Sequence, residues 1–81
     1  MSVDIKGAGR AKMWRGYNVL IFWDNSDWLK RVSELENWMG AHEPIPPIVR
    51  IEFHDRCTLL VLETHVVYLE VTDQGLQEKS L

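Results

Sequence analysis

The chain has a single cysteine, Cys57, so no disulfide can form within it, and the disulfide-dense secreted class is excluded. A reducing compartment is expected. No uncharged apolar stretch approaches the ~20 residues that span a bilayer, and the opening Met1-Ser2-Val3-Asp4-Ile5-Lys6 has no basic segment leading into an apolar run. These absences predict a soluble cytoplasmic protein with no membrane span. A phosphate loop is also missing, because Gly7-Ala8-Gly9 is neither preceded by a strand nor followed by Gly-Lys-Ser/Thr. One cysteine and scattered histidines cannot supply the four converging ligands of structural zinc. No metal and no cofactor is expected.

What remains is an ordinary globular composition, 46% hydrophobic and 26% charged, in a chain of 81 residues. That is enough for one core and too little for two. A domain of this size buries only roughly 60% of the surface its unfolded chain exposes, so its stability is modest unless two copies share a face. The charge is uneven. Residues 1–16 carry Lys6, Arg10, Lys12 and Arg15 against Asp4, a balance of +3, while the other 65 residues hold five basic and eleven acidic side chains, a balance of −6. Most of the surface should therefore repel nucleic acid, and only the first segment should attract phosphate.

Residues 1–13 have no apolar periodicity and read as a flexible basic arm, residues 14–73 as an α+β domain, and residues 74–81 as a loose C-terminal tail. Tyr17 to Trp23 is rich in β-branched and aromatic residues and stops at Asp24-Asn25-Ser26, the pattern of a buried strand. A helix should follow, capped by Asp24 or Ser26, with Trp23 and Trp28 spaced for a hydrophobic staple. Its stripe is Trp28, Val32, Leu35 and Met39, flanked by Leu29 and Trp38, with Lys30, Glu34 and Asn37 opposite. Gly40 is expected to supply a left-handed cap, and the prolines at 44, 46 and 47 keep the helix from resuming.

Three β-rich runs follow, Ile48 to His54, Cys57 to Glu63 and Val66 to Val71. If Asp55-Arg56 and Thr64-His65 are two-residue loops, Phe53 faces Thr58, Ile51 faces Leu60 and Val49 faces Leu62, and in the second hairpin Leu62 faces Val67 and Leu60 faces Leu69. Neither loop holds the Gly or Asn that primed turns prefer, which leaves a longer or bulged loop open. The predicted order is β-α-β-β-β. One helix packs on one face of a mixed four-stranded sheet that ends in an antiparallel meander, with the first strand parallel to the second or the fourth.

This register sends Arg50, Glu52, Leu59, Val61, Val66, Tyr68 and Glu70 to the face away from the helix. Apolar residues ringed by charge suit an association surface, and a homodimer or a protein partner is expected there. The alternative is that the N-terminal segment, with Trp14, folds back over it. His54 and Cys57 would be cross-strand neighbours, yet a Cys-His pair without a concave electropositive setting and an oxyanion donor is not a catalytic site. Glu52 and Glu70 would lie two strands apart across Leu59, about 10 Å, with no environment to raise a carboxyl pKa.

The expectation is a non-enzymatic protein-binding or regulatory module, analogous in size and composition to small adaptors and inhibitors, including those of phages and mobile elements. A competing reading is a nucleic-acid-binding protein that uses Lys6, Arg10, Lys12, Trp14 and Arg15, a basic cluster with an aromatic ring on which a base can stack. An enzyme built on His54, Cys57 and Glu52 ranks last, because no catalytic constellation is complete.

Overall fold

The computed structural model describes residues 10–23 and 27–79. In chain order the elements are β1 (Arg10–Trp14), β2 (Tyr17–Ile21), α1 (Trp28–Ala41), β3 (Ile48–Phe53), β4 (Cys57–Leu62), β5 (Val66–Thr72) and β6 (Gly75–Lys79). The strands form one sheet in sequence order, β1-β2-β3-β4-β5-β6. Every neighbouring pair is antiparallel except β2 and β3, which the helix connects in parallel. The class is α+β as expected, and the first predicted strand runs parallel to the second. The sheet has six strands, not four.

The two added strands come from turns. Trp14 pairs with Tyr17 across Arg15-Gly16, whose φ values of 54° and 84° are both left-handed, the requirement of a type I′ hairpin. Residues 10–13, read as part of a flexible arm, are thereby a strand. At the other end Thr72 pairs with Gly75, which has φ 99°, and the Thr72 hydroxyl donates to the Gly75 carbonyl at 2.9 Å and accepts from the Gln74 N–H at 3.1 Å. This local bonding closes the Asp73-Gln74 turn and makes residues 75–79 a strand rather than a tail.

Helix α1 starts at Asp27, whose carboxylate accepts from the Lys30 N–H at 3.2 Å. The expected caps Asp24 and Ser26 lie outside the described residues. Leu35, Trp38 and Met39 are buried, and Trp28 and Val32 pack half-buried against them. Leu29, placed beside the stripe by periodicity, is 78% exposed. Gly40 lies inside the helix, which ends at Ala41 and is capped by His42, whose N–H donates to the Met39 carbonyl at 3.2 Å. The helix covers one sheet face, where Val19, Ile21, Ile51, Phe53, Leu60 and Leu69 are all but fully buried.

The first β3–β4 pairings hold as expected: Phe53 with Thr58 and Ile51 with Leu60. A bulge then separates Arg50 from Ile48, so Ile48, not Val49, sits opposite Leu62, and Val49 is 51% exposed. In the second hairpin Leu60 faces Val67 and Thr58 faces Leu69, and the Leu62 N–H donates to the His65 carbonyl at 2.9 Å, so the turn residues are Glu63-Thr64. The slip from the expected register is two residues. An even slip preserves the pleat, so each side chain keeps its face while its neighbours change.

Candidate functional site

The sheet face away from the helix is the largest feature that the core leaves unused. Among the described residues no element crosses it: the helix lies on the other side, and every described strand belongs to the sheet itself. Alternation from the buried Val19 and Ile21 sends Leu20 and Phe22 outward, and pairing with Asn18 sends Met13, 64% exposed, the same way. From β4 and β5 come Leu59, Val61, Val66 and Tyr68, with Leu59 opposite Tyr68 and Val61 opposite the 47% exposed Val66. Two apolar zones result, one on β1–β2 and one on β4–β5.

Between them runs β3, whose three outward residues are all polar: Arg50, Glu52 and His54. Glu52 sits between Leu20 on β2 and Leu59 on β4, and its side chain keeps only 14% of its exposure. Each carboxylate oxygen has its own partner, since Arg50 Nε donates to Oε2 at 2.8 Å and His54 Nε2 lies 3.0 Å from Oε1. Burial pushes the Glu52 carboxyl up, but the hydrogen bonds and positive charge of Arg50 and His54 outweigh it and hold the group below the usual carboxylate range. The His54 ring in turn stacks on Phe22, with centroids 4.7 Å apart and planes within 4°. The charged row is thus held rigid from both sides.

The seven residues expected on this face, Arg50, Glu52, Leu59, Val61, Val66, Tyr68 and Glu70, all lie on it. One neighbour relation is corrected by the two-residue slip, because Glu70 stands opposite Cys57, and Tyr68 takes its place opposite Leu59. Glu70 also meets Lys79 Nζ at 3.4 Å. Cys57 and, less strongly, the Glu70 carboxylate raise the pKa of the Tyr68 hydroxyl above its usual value. Sequence reasoning missed Met13, Leu20, Phe22 and Lys79 as members of the face. The alternation of residues 19 to 22 and the glycines at 16 and 75 were the signals available.

The basic cluster of the first segment is engaged within the fold. Lys6 lies outside the described residues. Lys12 Nζ sits 4.7 Å above the Trp28 ring, while Arg15 pairs with Glu36 at 3.2 Å and lies 5.1 Å from the Trp14 ring. Arg10 too makes interactions. Trp14 packs half-buried against the core on the helix side, so it does not fold back across the open face, and Trp38 is a core residue. These rings serve the core edge.

Arg31 is a buried cation that periodicity did not single out. It retains 4% exposure, and its Nη1 donates to the carbonyls of His54 at 2.7 Å and Cys57 at 3.1 Å and to the Thr58 hydroxyl at 3.2 Å. Nη2 reaches the Asp55 carbonyl at 3.2 Å, and the guanidinium lies 4.2 Å from the Trp23 ring. Burial lowers its pKa, with Glu34, Cys57 and Asp55 opposing the shift. It remains charged, as arginine does in proteins. Its work is structural: it binds the helix to the β3–β4 turn and satisfies carbonyls in a turn that has neither glycine nor a left-handed residue.

Among the described residues there is no group of three His, Cys, Asp or Glu side chains that could hold a metal ion. No helix there is long and apolar enough to cross a membrane. Comparisons with known protein families, curated proteins and solved structures found no match.

Proposed function

We propose that this chain is a non-enzymatic protein-binding or regulatory module that acts through the open sheet face. The observation that carries the reading is that β2, β4 and β5 are apolar on both sides while, among the described residues, the one helix covers only one side of the sheet. Antiparallel sheets with one solvated face normally alternate apolar inward and polar outward. Here Leu20, Phe22, Leu59, Val61, Val66 and Tyr68 occupy outward positions, and an apolar patch rimmed by polar residues is characteristic of an association surface.

Catalysis finds less support. The one perturbed carboxylate on the face, Glu52, has both oxygens engaged by Arg50 and His54 and is held below the usual carboxylate range, the opposite of what a general base or acid working near neutrality needs. Nucleic acid binding is also less favoured, because Lys12 and Arg15 are committed to aromatic and acidic neighbours within the fold.

Site-specific photo-crosslinking in the native host tests the proposal. A photoreactive residue in place of Val61 should yield protein adducts, and one in place of Leu29, exposed on the helix, should yield none above background. Adducts to nucleic acid, or equal protein adducts from both positions, would overturn it.

A further inference from the structure

Resting on that reading of the open face, we infer that its occupant is a second copy of this chain, joined face to face about a two-fold axis that crosses β3. The first argument is charge. The chain as a whole is at −3, and a surface meeting its own image must not share that excess. Within the described strands the face carries two cations and two carboxylates, already matched as Arg50 with Glu52 at 2.8 Å and Lys79 with Glu70 at 3.4 Å. Its formal charge is zero, so two copies can approach without like-charge repulsion. A polyanion or a strongly basic peptide would find no complementary field there.

The second argument is area. Six strands spaced ~4.8 Å and five to seven residues long at ~3.3 Å per residue present roughly 500–650 Å² per copy. Two copies then bury about 1,000–1,300 Å² in all, at the lower end of the range for specific interfaces. The third argument is reciprocity. In an isologous contact residue i of one copy meets j of the other and j meets i. An axis passing between positions 50 and 52 places each Arg50 against the partner's Glu52, and it lays the β4–β5 apolar zone on its own counterpart. Two sheets packed in this way lie ~10 Å apart, with the helices outermost.

Light scattering coupled to size exclusion tests this with two charge-reversal variants. Wild type at about 100 μM should have twice the 9.5 kDa mass of one chain. Arg50→Glu puts carboxylates at both positions 50 and 52, Glu52→Arg puts guanidiniums at both, and each alone should weaken self-association at least about 100-fold, as like charges brought face to face require. An equimolar mixture of the two should recover the dimer mass, because the acidic pair of one meets the basic pair of the other. Far-UV circular dichroism confirms that each variant is folded, and Val61→Glu serves as a third disruption if either is not.

A monomeric wild type would overturn the inference. So would variants that remain dimeric alone, or a mixture of folded variants that stays monomeric. If wild type is monomeric while crosslinking at position 61 captures a different protein, the binding reading stands and the second copy falls.

Discussion

Leu60 and Val61 are neighbours on β4, both aliphatic, and they have opposite fates. Leu60 is fully buried beneath the helix, whereas Val61 points to a face that nothing in the described fold covers. The difference lies in what stands opposite. Trp28, Val32, Leu35 and Met39 give the inner face a partner of matching hydrophobicity, and among the described residues no element packs on the outer face. Apolar sequence sets the tendency to be buried; topology decides which of two equally apolar faces is satisfied within the chain.

The sharpest way to break this comparison is to place the same charge on both sides. Leu60→Glu sets a carboxylate in the dry layer between helix and sheet and should cost more than about 4 kcal/mol, close to the whole stability of so small a domain. Val61→Glu should change the stability of the isolated chain by less than about 1 kcal/mol. Urea unfolding followed by circular dichroism at low protein concentration reads both. A folded Leu60→Glu protein would show that the helix-covered layer is not the core.

Arg31 sharpens the inner side of the comparison. Arg31→Met keeps length and apolar bulk but removes the donor that the guanidinium gives to the carbonyls of His54 and Asp55 and to the Thr58 hydroxyl, and leaves the Cys57 carbonyl with the His54 N–H alone. The expected loss is about 2–4 kcal/mol. Arg31→Lys should recover little of it, since an ammonium cannot reach acceptors on both arms of the fork. Equal urea midpoints for wild type and Arg31→Met would contradict the structural role.

The smallest effect lies on the outer face and depends on pH. Because Glu52 is held below the ordinary carboxylate value when folded, its contribution is present above the unfolded-state pKa and disappears as pH falls through the folded one. Glu52→Gln should therefore lower stability by less than about 1 kcal/mol near neutrality, and the gap should close in acid. Urea midpoints of the two proteins across that range check the sign; a gap that widened in acid would mean that Glu52 is instead strained by burial.

Much of this arrangement was legible in the sequence, and the failures have definite causes. The four central strands and the helix announce themselves through runs of β-branched residues and a 3.6-residue stripe, and the assignment of side chains to faces survived a two-residue error in the second hairpin because the pleat repeats every two residues. The outer strands were missed because Arg10 to Trp14 and Gly75 to Lys79 contain no β-branched residue and no apolar run. Their signal is conformational, residing in Gly16 and Gly75. Val49 was misplaced because a bulge has no hydropathy signature of its own. Arg31 was passed over because a cation on the apolar side of a helix is intelligible only once the backbone carbonyls it serves have been brought together.

Those carbonyls also bear on how the molecule assembles. The acceptors of Arg31 come from positions 54, 55, 57 and 58, on both limbs of the β3–β4 turn, and they converge only when that turn has closed. Docking the helix on an open turn would take a cation out of water with too few partners to replace its hydration. A closed turn without the helix leaves the Thr58 side chain and the inner ends of the strands wet. Helix and hairpin are therefore each a poor stopping point without the other, and partly docked intermediates are disfavoured at the place where the chain makes its longest crossover. One guanidinium makes two local structures, separated by more than twenty residues, form as a single cooperative unit.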